Sequence, residues 1–229
     1  PEAIYQIHFP KLNAQILAAM RRIKFDEFFQ IQIQLKRLLA HRVHVQRGFL
    51  FPSIEHYFEK FYHYHLPFPL TGAQKKVLKE IRRDTMQGRQ MNRLLQGDVG
   101  SGKTIVSFMT MLMAVDNGFQ ASIMAPTEIL ARQHYEHLEH YTRALNLRVE
   151  ILTGTTKAKD KKRILDELEH GKIDMLIGTH ALIEPTVVFK NLGLVVIDEQ
   201  HRFGVAQRAA LWKKNEWPPH ILVMTATPI

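Results

Sequence analysis

Apolar positions change their rhythm once along this chain, near residue 66. Before that point they recur at helical spacing. Ile16, Leu17 and Met20 predict one helix after Pro10, Phe25, Phe28, Ile31, Leu35 and Leu38 a second, and Ile54, Tyr57, Phe58 and Phe61 a third. Gln30-Ile31-Gln32-Ile33-Gln34-Leu35 also alternates as a strand would, so both readings stay open there. Leu66-Pro67-Phe68-Pro69 is the natural boundary. From Leu70 onward, short apolar runs alternate with amphipathic stretches. Strands are predicted at residues 94–95, 121–124, 149–152, 175–177, 194–197 and 221–224, and helices beginning near Thr71, Lys103, Glu128, Lys159 and Val205. Apolar strands separated by helices imply an α/β fold, a parallel sheet flanked by helices on both faces, preceded by a mostly helical segment. Ligands of such sheets gather at the carboxyl ends of the strands.

Composition narrows the class. The 229 residues suffice for one large domain, or a domain with an appendage, and 45% hydrophobic residues is ordinary for a globular core. The absence of cysteine excludes a disulfide framework and a cysteine-based zinc site. Six of the thirteen histidines, His8, His41, His44, His56, His63 and His65, are scattered through the first segment as surface or packing residues, and none forms an H-E-x-x-H pattern. With no long apolar run and no secretory leader pattern, a cytoplasmic location without membrane contact is expected. A formal net charge of +9 favours a polyanionic partner. The sequence stops just past an apolar strand, at Thr225-Ala226-Thr227-Pro228-Ile229, so a piece of a longer protein is expected.

The sharpest chemical signal is Gly97-Asp98-Val99-Gly100-Ser101-Gly102-Lys103-Thr104, a full G-x-x-x-x-G-K-[ST] match between a strand and a helix. Glycines let backbone N–H groups turn inward around a phosphate chain, and the helix N-terminus adds a positive dipole end. Lys103 would reach the β- and γ-phosphates of ATP, and the Thr104 hydroxyl would bind Mg²⁺. Asp198-Glu199-Gln200-His201 follows another apolar strand. Asp198 would hold Mg²⁺ through water and Glu199 would polarise the attacking water. His201 would link the phosphate site to the neighbouring strand end. Helix capping is the simpler role for the two acids, but their place at a strand end downstream of a complete P-loop favours the catalytic one.

Four weaker signals surround these. Thr71 and Gln74 stand at capping-box spacing, which accounts for the threonine fully and the glutamine in part. The Gln74 amide would otherwise pair with the adenine edge, with Phe68 nearby. Thr225-Ala226-Thr227 either couples the acidic motif to the DNA side or only makes the turn before Pro228. Pro126, Thr127 and Arg132, then Thr153 and Gly154, then Thr179 and His180, each follow a predicted strand and suit sequence-independent contacts to a nucleic-acid backbone. Each is also an ordinary helix start or turn. Lys157, Lys159, Lys161, Lys162 and Arg163 form a basic run, read as a solvated helix face or as a further backbone contact.

Together these motifs resemble the superfamily-2 helicases. Residues 97–104 look like motif I, 126–130 like Ia, 153–154 like Ib, 178–182 like Ic, 198–201 like II and 225–227 like III. Within that superfamily the RecG-type branched-DNA helicases are the nearest in pattern. The run Asp198-Glu199-Gln200-His201-Arg202-Phe203-Gly204-Val205 and the segment from Leu66 to Gln74 carry that likeness. The bacterial transcription-repair coupling translocases are also similar, but have Glu-Gln where this chain has Gln200-His201. The resemblance implies a RecA-like lobe over residues 67–229, led into by residues 1–66 from a DNA-binding wedge domain, with Gln200 coupling nucleotide to DNA. It implies a second lobe supplying arginine fingers, forked or branched DNA as partner, a role in repair and recombination beside the bacterial nucleoid, and an isolated piece without turnover. A nucleotide-binding module without catalysis is the remaining alternative.

Overall fold

The computed structural model describes residues 2–45, 47–199 and 217–226. The chain forms two compact units, one ending at Val45 and the other beginning at Gln46. The first holds α1 (Glu2–His8) and α2 (Asn13–Val45). Where two helices were expected after Pro10, one helix of 33 residues runs through, and Gln30 to Leu35 are helical. No glycine or proline interrupts residues 13–45, so nothing breaks the hydrogen-bond ladder. Gln15 caps the start, its side-chain oxygen accepting the backbone N–H groups of Lys11 and Leu12 at 2.8 and 3.2 Å. Leu17, Phe25 and Phe28 remain exposed, so their helical spacing does not translate into a buried stripe within this unit.

The second unit is built on a six-stranded parallel sheet. In chain order the strands are β1 (Asn92–Gln96), β2 (Gln120–Met124), β3 (Val149–Leu152), β4 (Met175–Gly178), β5 (Leu192–Asp198) and β6 (His220–Thr225). Their spatial order is β1-β6-β5-β2-β4-β3, and every adjacent pair is parallel. All six expected strands are present. The helices are α3 (Tyr57–Lys60), continued by a π turn (Phe61–His65), α4 (Gly72–Thr85), α5 (Lys103–Asp116), α6 (Glu128–Ala144) and α7 (Ala158–Glu169). A 3-10 turn spans His180–Ile183. The helix expected near Val205 lies outside the described residues.

Strand alternation divides the buried residues into two cores. Met175, Ile177, Leu194, Val196, Leu222 and Met224 face one core with α4, α5 and α6, while Leu176, Val195, Ile197, Ile221 and Val223 face the other with α7. Helix α5 is buried over every residue from Ile105 to Val115, which explains why its sequence is apolar all round.

Residues 47–66 belong to this unit. Phe61 is fully buried and meets Phe108 of α5 and Tyr141 of α6 edge-on, at 5.0 and 5.2 Å between ring centres. Asp116, at the end of α5, accepts the N–H groups of Tyr57 and Phe58 at 2.6 and 3.0 Å and so caps α3. Burial nevertheless pushes the Asp116 carboxyl above its ordinary range. His220 is wholly buried at the start of β6. Its Nδ1 accepts the Met91 N–H at 2.8 Å and its Nε2–H donates to the Phe49 carbonyl at 2.9 Å, joining the sheet to the segment that precedes α3.

Candidate functional site

The P-loop leaves β1 and ends at the first turn of α5. Gly100 and Gly102 have φ of +80° and +82°, a left-handed backbone that glycine adopts without strain. A Cβ on Gly102 would collide with Gln74 Nε2, and one on Gly97 would lie 2.7 Å from Ser101 Oγ. The loop is thus a cradle in which side chains at these positions would collide. Val99 at its tip is 91% exposed. Lys103 Nζ donates to the carbonyls of Gly97 and Asp98 at 2.6 and 2.8 Å, so the ammonium lies across the loop. Thr104 follows it inside the first turn of α5. Backbone turned by glycines, a lysine over the loop and a helix N-terminus fit a nucleotide's phosphates and an accompanying cation.

Gln74 is committed at both ends of its amide. Thr71 N–H donates to Oε1 at 2.9 Å and Gln74 N–H to Thr71 Oγ1 at 3.2 Å, which closes the capping box. Nε2 donates to the Ser101 carbonyl at 2.9 Å, a tie to the P-loop that spacing did not reveal. Adenine pairing by Gln74 therefore requires an exchange of these partners. Phe68 is partly exposed upstream.

The acidic pair ends β5, two strands from β1. Asp198 Oδ2 accepts Nε2–H of His134 at 2.8 Å. Glu199 has φ of +52°, unusual for a side chain with a Cβ. Its carboxylate accepts the Thr225 hydroxyl at 3.3 Å and the Ala226 N–H at 3.4 Å, and its own N–H donates to the Met224 carbonyl at 2.9 Å. Thr225 also receives the Gly97 N–H on its carbonyl at 3.3 Å. The β1-β6-β5 half of the sheet thus joins the P-loop, the acidic motif and the start of Thr225-Ala226-Thr227. Gln200, His201 and Thr227 lie outside the described residues.

The other half, β2-β4-β3, carries the three remaining loops on the same carboxyl edge. Thr127 caps α6, its hydroxyl oxygen accepting the Leu130 N–H at 3.3 Å. Glu128 accepts the Thr155 N–H at 3.2 Å and hydroxyl at 2.7 Å, clasping the first loop to the second. Pro126 is half-buried, while Arg132, Gly154 and His180 are exposed. Thr153 and Thr179 are only 3% and 2% exposed, so burial restricts what their side chains can touch. In the basic run, Lys161 pairs with Glu184 at 2.8 Å, and Arg163 with Glu150 and Glu167 at 2.8 and 2.7 Å. The Lys161 ammonium holds the Glu184 carboxyl below its usual range. Those two cations are therefore structural, and Lys157, Lys159 and Lys162 remain exposed.

Sequence reasoning missed His134 altogether. Helix α6 carries three histidines, His134, His137 and His140, and nothing local marks the one whose partner lies 64 residues away.

A parallel α/β sheet with a P-loop after β1 and an acidic pair after β5 defines a P-loop nucleotide-binding domain. Residues 71–229 match the DEAD/DEAH box helicase family, and the chain belongs to that family. It is 49% identical over 227 residues to the ATP-dependent DNA helicase RecG of Synechocystis, covering 99% of this chain and 27% of that protein. Against the same-named protein of Streptococcus pneumoniae it is 47% identical, covering 100% of this chain and 33% of the other. The solved structure of RecG bound to a three-way DNA junction superimposes with a TM-score of 0.85 at 42% identity, covering 99% of this chain and 30% of that one. The fold is accordingly RecA-like. The chain spans about a third or less of the curated relatives it matches. Among the described residues, no helix is long and apolar enough to cross a membrane.

Proposed function

We propose that this chain is the nucleotide-binding lobe of an ATP-dependent DNA helicase that remodels stalled forks and recombination junctions. One observation carries the reading: the β1-β6-β5 half gathers Lys103, Asp198 and Glu199 around one strand edge, with Glu199 held by Thr225 and Ala226. The relatives named RecG and the junction-bound structure support the choice of branched DNA.

In this reading Gly97, Asp98, Val99, Gly100, Ser101 and Gly102 wrap the phosphates of ATP, and Lys103 leaves its two carbonyl partners to meet the β- and γ-phosphates. Mg²⁺, when bound, neutralises charge on the phosphate oxygens. Thr104 and Asp198 would hold it, and Glu199 would orient the attacking water. Gln74 and Phe68 flank the base. Pro126, Thr127, Arg132, Gly154 and His180 offer backbone groups, a cation and a ring to DNA phosphates, while Thr153 and Thr179 shape their loops from within. Residues 67–229 form the first lobe, with 47–66 as its outer layer, and the helices before them lead from a wedge domain. A second lobe supplies arginine fingers, each worth on the order of 10³-fold in rate or more. Such a protein works in the bacterial cytoplasm beside the nucleoid.

The test is ATP turnover of the full-length protein with no DNA, linear duplex and a model fork, beside Lys103→Ala. Strong, Lys103-dependent stimulation by the fork is expected. Equal stimulation by linear duplex points to a general translocase of the coupling type, and no stimulation by any DNA overturns the helicase reading.

A further inference from the structure

Asp198 stands at the seam of the sheet. It ends β5, the last strand of the half that carries the P-loop, and β5 pairs directly with β2, the first strand of the half that carries the other loops. The chain leaving β2 runs through Pro126 and Thr127 into α6, and His134 lies in the second turn of that helix. From there its Nε2–H reaches Asp198 Oδ2 at 2.8 Å, with the two side chains only 11% and 14% exposed. No other side-chain hydrogen bond between the described residues crosses from α6 to the acidic pair.

The carboxylate has two oxygens. An imidazole N–H fixed on Oδ2 fixes the rotation of the group and aims Oδ1, and a partly desolvated hydrogen bond to an ionised acceptor is of the stronger kind. We infer that His134 is a positioning residue: it orients Asp198 toward the cation and ties that orientation to α6, the helix that begins at the DNA-side loop of Pro126 and Thr127. The inference rests on the nucleotide reading above and adds a part to it.

The chemistry demands an N–H at that place, not an imidazole as such. A ligand-orienting hydrogen bond of this kind is worth about tenfold or more in metal affinity. The measurement is binding of a fluorescent ADP analogue to the full-length protein, with Mg²⁺ and with chelator, for the wild type, His134→Ala and His134→Gln, with the thermal midpoint of each recorded. Magnesium tightens binding to the wild type. His134→Ala is expected to lose about tenfold of that gain while its metal-free affinity stays unchanged, and His134→Gln, which keeps a side-chain N–H donor, to recover most of it. The inference is overturned if His134→Ala retains the wild-type magnesium gain, if metal-free binding falls by the same factor, or if the glutamine variant fares no better than the alanine while melting like the wild type. Absence of any magnesium-dependent binding in the wild type overturns the nucleotide reading, and this inference with it.

Discussion

Thr225 donates its hydroxyl to the carboxylate of Glu199 at 3.3 Å, across the carboxyl ends of two neighbouring strands. Glu199 sits at φ +52°, a backbone setting that costs on the order of 1–3 kcal/mol outside glycine and persists where surrounding contacts impose it. Its contacts to Met224, Thr225 and Ala226 are among those constraints. In the full-length protein, Glu199→Gln is expected to keep nucleotide affinity within about twofold and to lower kcat by at least about 10². Thr225→Val, which removes the donor but keeps the shape, lowers kcat by less, with KM for ATP little changed. Steady-state ATP turnover separates the two, and normal turnover by Glu199→Gln removes Glu199 from the reaction.

Gly102 and Gln74 form a second testable pair. A methyl at Gly102 collides with the Gln74 amide and sits at φ +82°. Gly102→Ala is expected to destabilise by about 1–3 kcal/mol and to dislodge the amide from the Ser101 carbonyl. Gln74→Ala loses its part of the capping box for about 1 kcal/mol. Urea denaturation of both variants checks these values. A Gly102→Ala protein as stable as the wild type contradicts the close fit of loop and helix.

His220 makes stability depend on pH. Burial pushes its imidazole down to about 4. In the unfolded chain a histidine titrates near 6.5, so between these values the unfolded state binds a proton that the folded state refuses. Stability is therefore unaffected by this group above pH 6.5 and falls as the pH drops toward about 4, and the loss amounts to about 3 kcal/mol once both states are protonated. Urea midpoints from pH 7.5 to 4.5 for the wild type and His220→Asn give the measurement. A wild type whose stability falls no more steeply than that of the variant speaks against the assignment.

Phe61 tests where the second unit begins. Its ring is fully buried against Phe108 and Tyr141. Phe61→Ala should cost about 3–5 kcal/mol. Phe25→Ala, on an exposed ring of α2, should change stability by about 0.5 kcal/mol or less. Equal and small effects would mean that residues 47–66 are dispensable to the fold.

Much of the molecule was legible in one dimension, because its information is local. A P-loop needs glycines, lysine and threonine at fixed spacing, so residues 97–104 announce a phosphate cradle unaided. The central strands β2, β4, β5 and β6 were readable because a parallel strand covered on both faces is a short apolar run, while the edge strands β1 and β3 carry fewer buried positions. Scattered apolar clusters within residues 13–45 suggest two segments, whereas the chain forms one helix because no glycine or proline breaks it. Long-range pairing decided the rest. Phe61 is a core residue because Phe108 and Tyr141 enclose it, and Gln74 is tied to Ser101 only once α4 lies beside the P-loop. His134 gains its meaning from Asp198, brought to it by the pairing of β2 with β5. Residue type and spacing determined which chemistry this chain can carry. The strand order determined which side chains meet, because a hydrogen bond a few ångströms long depends on neighbours in space, and the sequence lists neighbours along the chain.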